Sequence, residues 1–359
     1  MTDLLHVATR KGVFAFRRRD GNWEAGPPSF LGAAATAVLQ AADGTLYAAL
    51  RHGHFGVKVH RSEDGGETWA EVASPAIPPD DEPVEKQPAL DMIWTLTGGT
   101  AAAPDTLWAG TLPGAVFRSD DRGESWHIAD GLWSRPERKT WFGGGYDLSG
   151  VHSIQFDPRD RQRITIGISS GGIWKSDDGA ATWRQAGTGL RAAYMPPEQA
   201  FDPAVQDPHR LAICAAAPDV MWCQHHNGIF RSTDGGETFA EIENVPPSVF
   251  GFAVAAHPQD PETAWFVPAV KDECRVPVGG RLVVTRTRDG GRSFEAIGEG
   301  LPADGSYDLI YRHGLDVDAT GRRLAMGSTT GNLWVSEDGG GRWTLASGTL
   351  PPIAQVAFA

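Results

Sequence analysis

Short apolar runs at residues 57–60, 115–117, 173–174, 229–230, 283–285 and 333–335 each lead into a polar stretch of one design. The first of these stretches, Ser62 to Trp69, reads Ser-Glu-Asp-Gly-Gly-Glu-Thr-Trp, and its copies begin at Ser119, Ser176, Ser232, Thr287 and Ser336. Every copy carries an Asp at its third position, Gly at or beside its fifth and an aromatic at its eighth. Successive starts are 57, 57, 56, 55 and 49 residues apart. One hairpin signature per period of about fifty residues predicts a propeller or a solenoid, in which each unit buries its apolar face only against its neighbours.

The unit at residues 151–190 divides into four strands at its turn residues: Asp157-Pro158, then Gly171-Gly172, then Asp178-Gly179. Four antiparallel strands per period is a propeller blade. The same template fits residues 35–73, 91–132, 211–245, 252–301 and 313–347. Residues 4–26 supply three further strands with no first strand, and residues 353–358 supply a first strand with nothing after it. Joining these two pieces predicts a single all-β domain over 1–359. It is a seven-bladed β-propeller with four-stranded antiparallel blades, its ring closed by the C-terminal strand in the N-terminal blade, so that no sheet edge stays open between first and last blades.

Composition agrees with many tight turns, since 44 Gly and 25 Pro fall between the apolar runs. A formal charge of −13 argues against a nucleic-acid or anionic-membrane surface. The N-terminal residues offer no apolar stretch of signal-peptide type, so a cytoplasmic location is expected. Cys214, Cys223 and Cys274 form neither a disulfide framework nor a Cys-x-x-Cys pair, and Cys214 and Cys223 lie in apolar runs that predict burial.

The repeated stretch resembles the Asp-box, or BNR, repeat of sialidases, other glycoside hydrolases, sortilin-like receptors and photosystem II assembly factors. In those families the box is structural and lies opposite the functional face, so the resemblance implies that Asp64, Asp121, Asp178, Asp234, Asp289 and Asp338 brace turns. The sialidase motif Phe/Tyr-Arg-Ile-Pro is absent, and sialidases have six blades where seven are counted here, so true sialidase activity is not expected. The assembly factors share the blade count, but they work in exported or lumenal compartments. The run Trp222-Cys223-Gln224-His225-His226-Asn227-Gly228 is similar to that of bacterial BNR-repeat propellers.

With the repeated turns on the lower face, strand alternation sends the inter-blade links and the turns between strands two and three to the upper face, where loops can carry function. Four connections there exceed what a link requires. Residues 74–90 are acidic (Asp80, Asp81, Glu82, Glu85), with Lys86. Residues 133–150 combine Trp133, Arg135, Arg138, Lys139, Trp141, Gly143 to Gly145, Tyr146 and Asp147. Residues 191–210 hold Tyr194, Glu198, Gln199, Asp202, Asp207 and His209, and residues 271–280 form a charged insertion in the sixth blade.

The candidate catalytic groups are His152, His225, His226, His313, Asp272 and Glu273. The candidate substrate-binding groups are Arg10, Trp141, Tyr146, Gln199, Gln224, Lys271, Arg275, Tyr311 and Arg312. Imidazoles converging on a channel mouth suit acid–base catalysis or a divalent metal, and the sequence leaves both open. Three readings follow. An enzyme of hydrolase or lyase type would act on a small polar or anionic substrate at the upper mouth. A protein-interaction scaffold would present a broad face to a protein partner. A glycoside-cleaving or carbohydrate-binding propeller would need two carboxylates beside aromatic platforms.

Overall fold

The computed structural model describes residues 2–79, 89–143 and 146–359. The acidic part of the link at residues 80–88 and Gly144 and Gly145 lie outside the described residues. Seven four-stranded antiparallel sheets form a ring. One sheet takes its innermost strand, Ile353–Phe358, from the C-terminal end of the chain and the other three, Leu4–Thr9, Gly12–Arg19 and Asn22–Ala25, from the N-terminal end. Val7 faces Val356 and Leu5 faces Phe358 across that join. No helix among the described residues is long and apolar enough to cross a membrane.

The core is divided by interface and not by blade. Seven apolar clusters lie between the seven pairs of neighbouring sheets, and each draws buried side chains from both. Ile166 and Trp174 of the fourth blade meet Trp108 of the third, for example, while Ile173 on the opposite face meets Leu211 and Met221 of the fifth. This follows from strand alternation, which sends successive side chains to opposite faces of a sheet that is covered on both. Cys214 and Cys223 are buried, whereas Cys274 is exposed.

The repeated turns share one hydrogen-bond plan. In the copy at Ser176, the hydroxyl donates to Asp178 Oδ1 at 2.8 Å and accepts the Ala180 amide at 2.9 Å, while Asp178 also takes the Thr182 amide at 2.9 Å and hydroxyl at 2.6 Å. The plan recurs at Ser62, Ser119, Ser232 and Thr287. At Ser336 the seventh residue is Arg342, so Asp338 receives its amide and no hydroxyl. These bonds favour the carboxylate form: the hydroxyl of Ser125 and the amide that follows Glu124 pull Asp121 down to about 2. Each eighth-position aromatic joins the apolar interface between its own blade and a neighbour, with Trp343 the most enclosed and Trp183 and Phe239 next.

The upper ends of the innermost strands repeat a different feature. In six blades the pairing to the second strand slips by a residue or more near the start of the innermost strand: at Ala354, Thr36, Trp94, His152 and His209, and across Phe252 and Ala253. A bulge of this kind leaves one residue out of the ladder and re-aims its side chain.

Candidate functional site

Because the innermost strand of each blade begins on the face opposite the repeated turns, the bulged residues ring one mouth of the propeller. Blades one and two bring only Ala354 and Thr36 to it, but blades three to six bring Trp94, His152, His209 and Phe252. The large rings are in contact. Trp94 lies edge-on to His152 at 5.7 Å between centroids, and His209 stacks on Phe252 at 4.3 Å.

Arg312, just before the innermost strand of the seventh blade, places its guanidinium 4.7 Å from the Trp94 ring and 5.5 Å from the Phe252 ring. The residue is 5% exposed. Among the described residues no carboxylate makes an ion pair with it, and its Nε has no hydrogen-bond partner. Burial lowers its affinity for the proton, the charge of Asp207 acting in the other direction. A buried cation resting on aromatic faces without a paired anion is an incomplete arrangement, because a desolvated charge costs several kcal/mol unless it is compensated.

Next to it stands a cluster of Asp207, His209 and His226, whose potential ligand atoms lie within 4.8 Å of one another. Asp207 and His209 are almost fully buried. Asp207 Oδ1 accepts from the Ser169 hydroxyl at 3.2 Å and the Ser170 amide at 3.1 Å. Its Oδ2 faces His209 Nε2 at 3.5 Å and His226 Nδ1 at 3.4 Å. His209 Nδ1 is 2.7 Å from the Gly251 carbonyl oxygen, to which it must donate, and the His226 amide donates to the Asp207 carbonyl at 3.0 Å. Burial alone would push the Asp207 carboxyl up, but His209, His226 and the charge of Arg312 hold it well below the usual range. Burial lowers His209, against the pull of Asp207.

Phe250, Tyr194 and Tyr311 complete the walls. Tyr194 and Phe250 lie edge-on to His226 at 5.1 and 6.0 Å, and Tyr311 packs edge-on to Phe252 at 5.0 Å. Arg275 also reaches this wall, 5.3 Å from the Phe252 ring, with its Nε 3.0 Å from Asp272 Oδ1. Tyr146 stands edge-on to Trp94 at 5.3 Å. Arg312, Arg275, Tyr311, Tyr146, His226, His152 and Asp272 therefore share one neighbourhood.

Other candidates lie elsewhere or are used up by the fold. His225 is fully buried, its Nε2 3.1 Å from the Asp207 amide and its Nδ1 3.2 Å from the Asn227 amide, and burial pushes it down to about 3. His313 Nε2 donates to the His152 carbonyl at 2.8 Å, and burial holds both rings neutral. His152 Nε2 has no partner. Gln224 spends its amide on the carbonyls of His225, Gly228 and Val249. Trp141 turns inward, edge-on to Trp174, because its indole completes the interface between the third and fourth blades. Lys271 and Glu273 sit on the exposed tip of their insertion, 3.5 Å apart and satisfied by each other. Arg10 and Gln199 are exposed. A hollow of about 770 Å³ lies between blades one and two beside the turn at Gly65 and Trp69, and no residue of the mouth cluster lines it.

These features define the chain as a seven-bladed propeller with a polar, aromatic-walled mouth. No protein-family profile matches it. It is 25% identical over 267 residues to a probable oligoxyloglucan-reducing end-specific xyloglucanase of Neosartorya fischeri, covering 70% of this chain and 30% of that protein. It is also 25% identical over 162 residues to a xyloglucanase of Hypocrea jecorina, covering 42% and 18%. The chain thus spans less than a third of the curated relatives it matches. Among solved structures, the GH74 xyloglucanase from Xanthomonas campestris superposes with a TM-score of 0.66 at 18% identity over 97% of this chain and 53% of that one. YCF48 from Cyanidioschyzon merolae superposes with a TM-score of 0.59 at 15% identity, covering 94% and 96%. Likeness at that level establishes the propeller fold.

Proposed function

We propose that the chain is an enzyme, of hydrolase or lyase type, acting on a small polar anion at the upper mouth of the propeller. Arg312 anchors the anion, Tyr311 and Arg275 form its flank, and the Asp207–His209–His226 cluster carries the chemistry. The observation that supports this reading is the buried guanidinium of Arg312, held by Trp94 and Phe252 with no carboxylate paired to it among the described residues. A site of this kind gains most from a ligand that supplies the missing charge, because a buried cation–anion hydrogen bond is stronger than a neutral one.

Binding of inorganic phosphate and a panel of small mono- and dicarboxylates, followed by calorimetry and thermal shift, tests the reading. At least one of these anions should bind the native chain and lose 100-fold or more in affinity in Arg312→Met. Equal binding by the two proteins would overturn it. A second reading, cleavage of xyloglucan-type glycosides, is favoured by the names of the relatives at 25% identity. It requires two carboxylates at the reacting bond. Release of reducing ends from xyloglucan oligosaccharides, abolished in Asp207→Asn or Asp272→Asn, would replace the first reading with this one.

A further inference from the structure

We infer that Asp207, His209 and His226 form a binding site for one divalent transition-metal ion, with open coordination positions turned toward Arg312. The inference deepens the reading of the mouth as an enzyme site, and rests on it only for what the ion would do there.

The three donors are set up as metal ligands are. Asp207 has one oxygen tied down by the Ser169 hydroxyl and the Ser170 amide, which leaves Oδ2 pointing at the two imidazoles. His209 gives its Nδ1 proton to the Gly251 carbonyl, so Nε2 presents a lone pair to that same Oδ2. A backbone carbonyl on the far nitrogen is the usual device that fixes the tautomer of a ligating histidine. The outcome is a lone pair facing a carboxylate oxygen at 3.5 Å inside the protein, which is repulsive until a cation lies between them. A proton shared at that separation gives a poor hydrogen bond, beyond the ordinary limit of about 3.2 Å.

The two spacings that involve Asp207 Oδ2 match a metal site, and all three donor atoms lie within 4.8 Å of one another. Ligand bonds of about 2.0–2.1 Å at tetrahedral angles put neighbouring donor atoms about 3.4 Å apart. The distances from Oδ2 to His209 Nε2 and His226 Nδ1 are 3.5 and 3.4 Å. Two imidazoles and one carboxylate are also the donor set of catalytic zinc and non-haem iron sites, which keep positions free for water or substrate. The surrounding residues supply rigidity: His209 is clamped against Phe252, and His226 is held by its own amide on the Asp207 carbonyl. With Arg312 near the same Phe252 ring on which His209 stacks, the ion would leave the mouth with net positive charge. An anion could then bridge metal and guanidinium.

Chain stripped with chelator and titrated with Zn²⁺, Co²⁺ and Mn²⁺ should bind one equivalent of at least one of these metals by calorimetry, and Co²⁺ should develop a visible ligand-field spectrum. Asp207→Asn and His226→Ala should each weaken binding by 100-fold or more, and Ser169→Ala by 10–100-fold through loss of the outer hydrogen bond. His226 is part-exposed, so His226→Ala keeps the test open should the buried Asp207→Asn fail to fold. Absence of binding at millimolar metal would overturn the inference. So would equal affinity in folded His226→Ala, which would place the metal on surface histidines such as His52, His54 or His127. Phosphate binding that depends on Arg312 without any metal leaves the enzyme reading in place and removes the metal. Stoichiometric metal binding with phosphate indifferent to Arg312→Met does the opposite.

Discussion

The two faces of the propeller repeat in opposite ways. On the lower face, six turns keep the backbone and the first-position hydroxyl making the same bond each time, and five of them keep the full set of carboxylate bonds. On the upper face, six innermost strands keep the backbone slip while the residue at the slip changes from Ala354 to Thr36, Trp94, His152, His209 and Phe252. A position that must close a turn is restricted to one chemistry. A position that has only to be aimed can be filled as the mouth requires. Repetition in sequence therefore marks support, and departure from it marks the candidate site.

The sharpest way to break this contrast is to remove a lower-face aromatic. Trp343→Ala should cost about 3–5 kcal/mol in denaturant unfolding, since the indole is nearly fully enclosed between the sixth and seventh blades. Anion binding at the mouth should survive wherever the protein is folded. Arg312→Met should reverse the pattern, losing about 2.7 kcal/mol or more of anion binding while the melting temperature stays the same or rises, because a buried charge without a direct ion-pair partner among the described residues is replaced by an apolar chain of similar length. A large fall in stability in Arg312→Met, with anion binding kept, would mean that the upper ring supports the fold as the lower turns do.

Smaller effects test each face from within. Ser176→Ala removes an acceptor from the Ala180 amide and a donor to Asp178, and should cost about 1–2 kcal/mol. Ser336→Ala should cost a similar amount although Arg342 gives its turn no hydroxyl, because the seryl bonds are common to both.

Asp316 ties blade seven to the closing strand by accepting the Phe358 amide at 2.8 Å. Burial pushes its carboxyl up to about 6, against the lowering effect of that bond. The folded state therefore holds the proton more tightly than the unfolded chain, where an Asp titrates near about 3.9. Its contribution is most favourable at acid pH and is lost as pH rises through about 6. With solvent reaching part of the side chain, the loss should be about 1–2 kcal/mol. Thermal melts of the native chain and Asp316→Asn between about pH 3.5 and 7 should converge at the acid end, with the variant the more stable above about pH 6. Parallel curves would show that the carboxyl titrates as in water.

The architecture could be read from the chain because turn chemistry is local. Asp, Gly and a following aromatic at fixed offsets announce a hairpin, and six announcements with one strand left over at each end require a closed ring. The site was only partly legible, because its residues meet through the ring and not along the chain. Arg312, Tyr311, Arg275 and His226 stand out where loops depart from the template. Asp207 and His209 lie in one such connection, residues 191–210, but are not singled out within it, since a fifth blade begun at Leu211 places them in a link, whereas the innermost strand starts at Pro208. The spacing that exposes them is His-x-Ile/Leu, present as His152 to Ile154, His209 to Leu211 and His313 to Leu315. Matching only the first and last of these copies hides the middle one. Lys271, Glu273, Arg10 and Gln199 mislead in the opposite sense, their polarity reflecting contact with solvent.

The slip in the innermost strands carries a further consequence. A residue outside the ladder can be exchanged without disturbing a paired neighbour, so six blades offer six sockets whose contents are uncoupled from the frame that holds them. A ring built this way can change its ligand by single substitutions at one rim while the opposite rim keeps the blades in register. Thr36 already spends its hydroxyl on the Ile93 carbonyl at 2.7 Å, so the small residue at Ala354 is the vacancy on the rim, the place where new chemistry could be installed at the least cost to the scaffold.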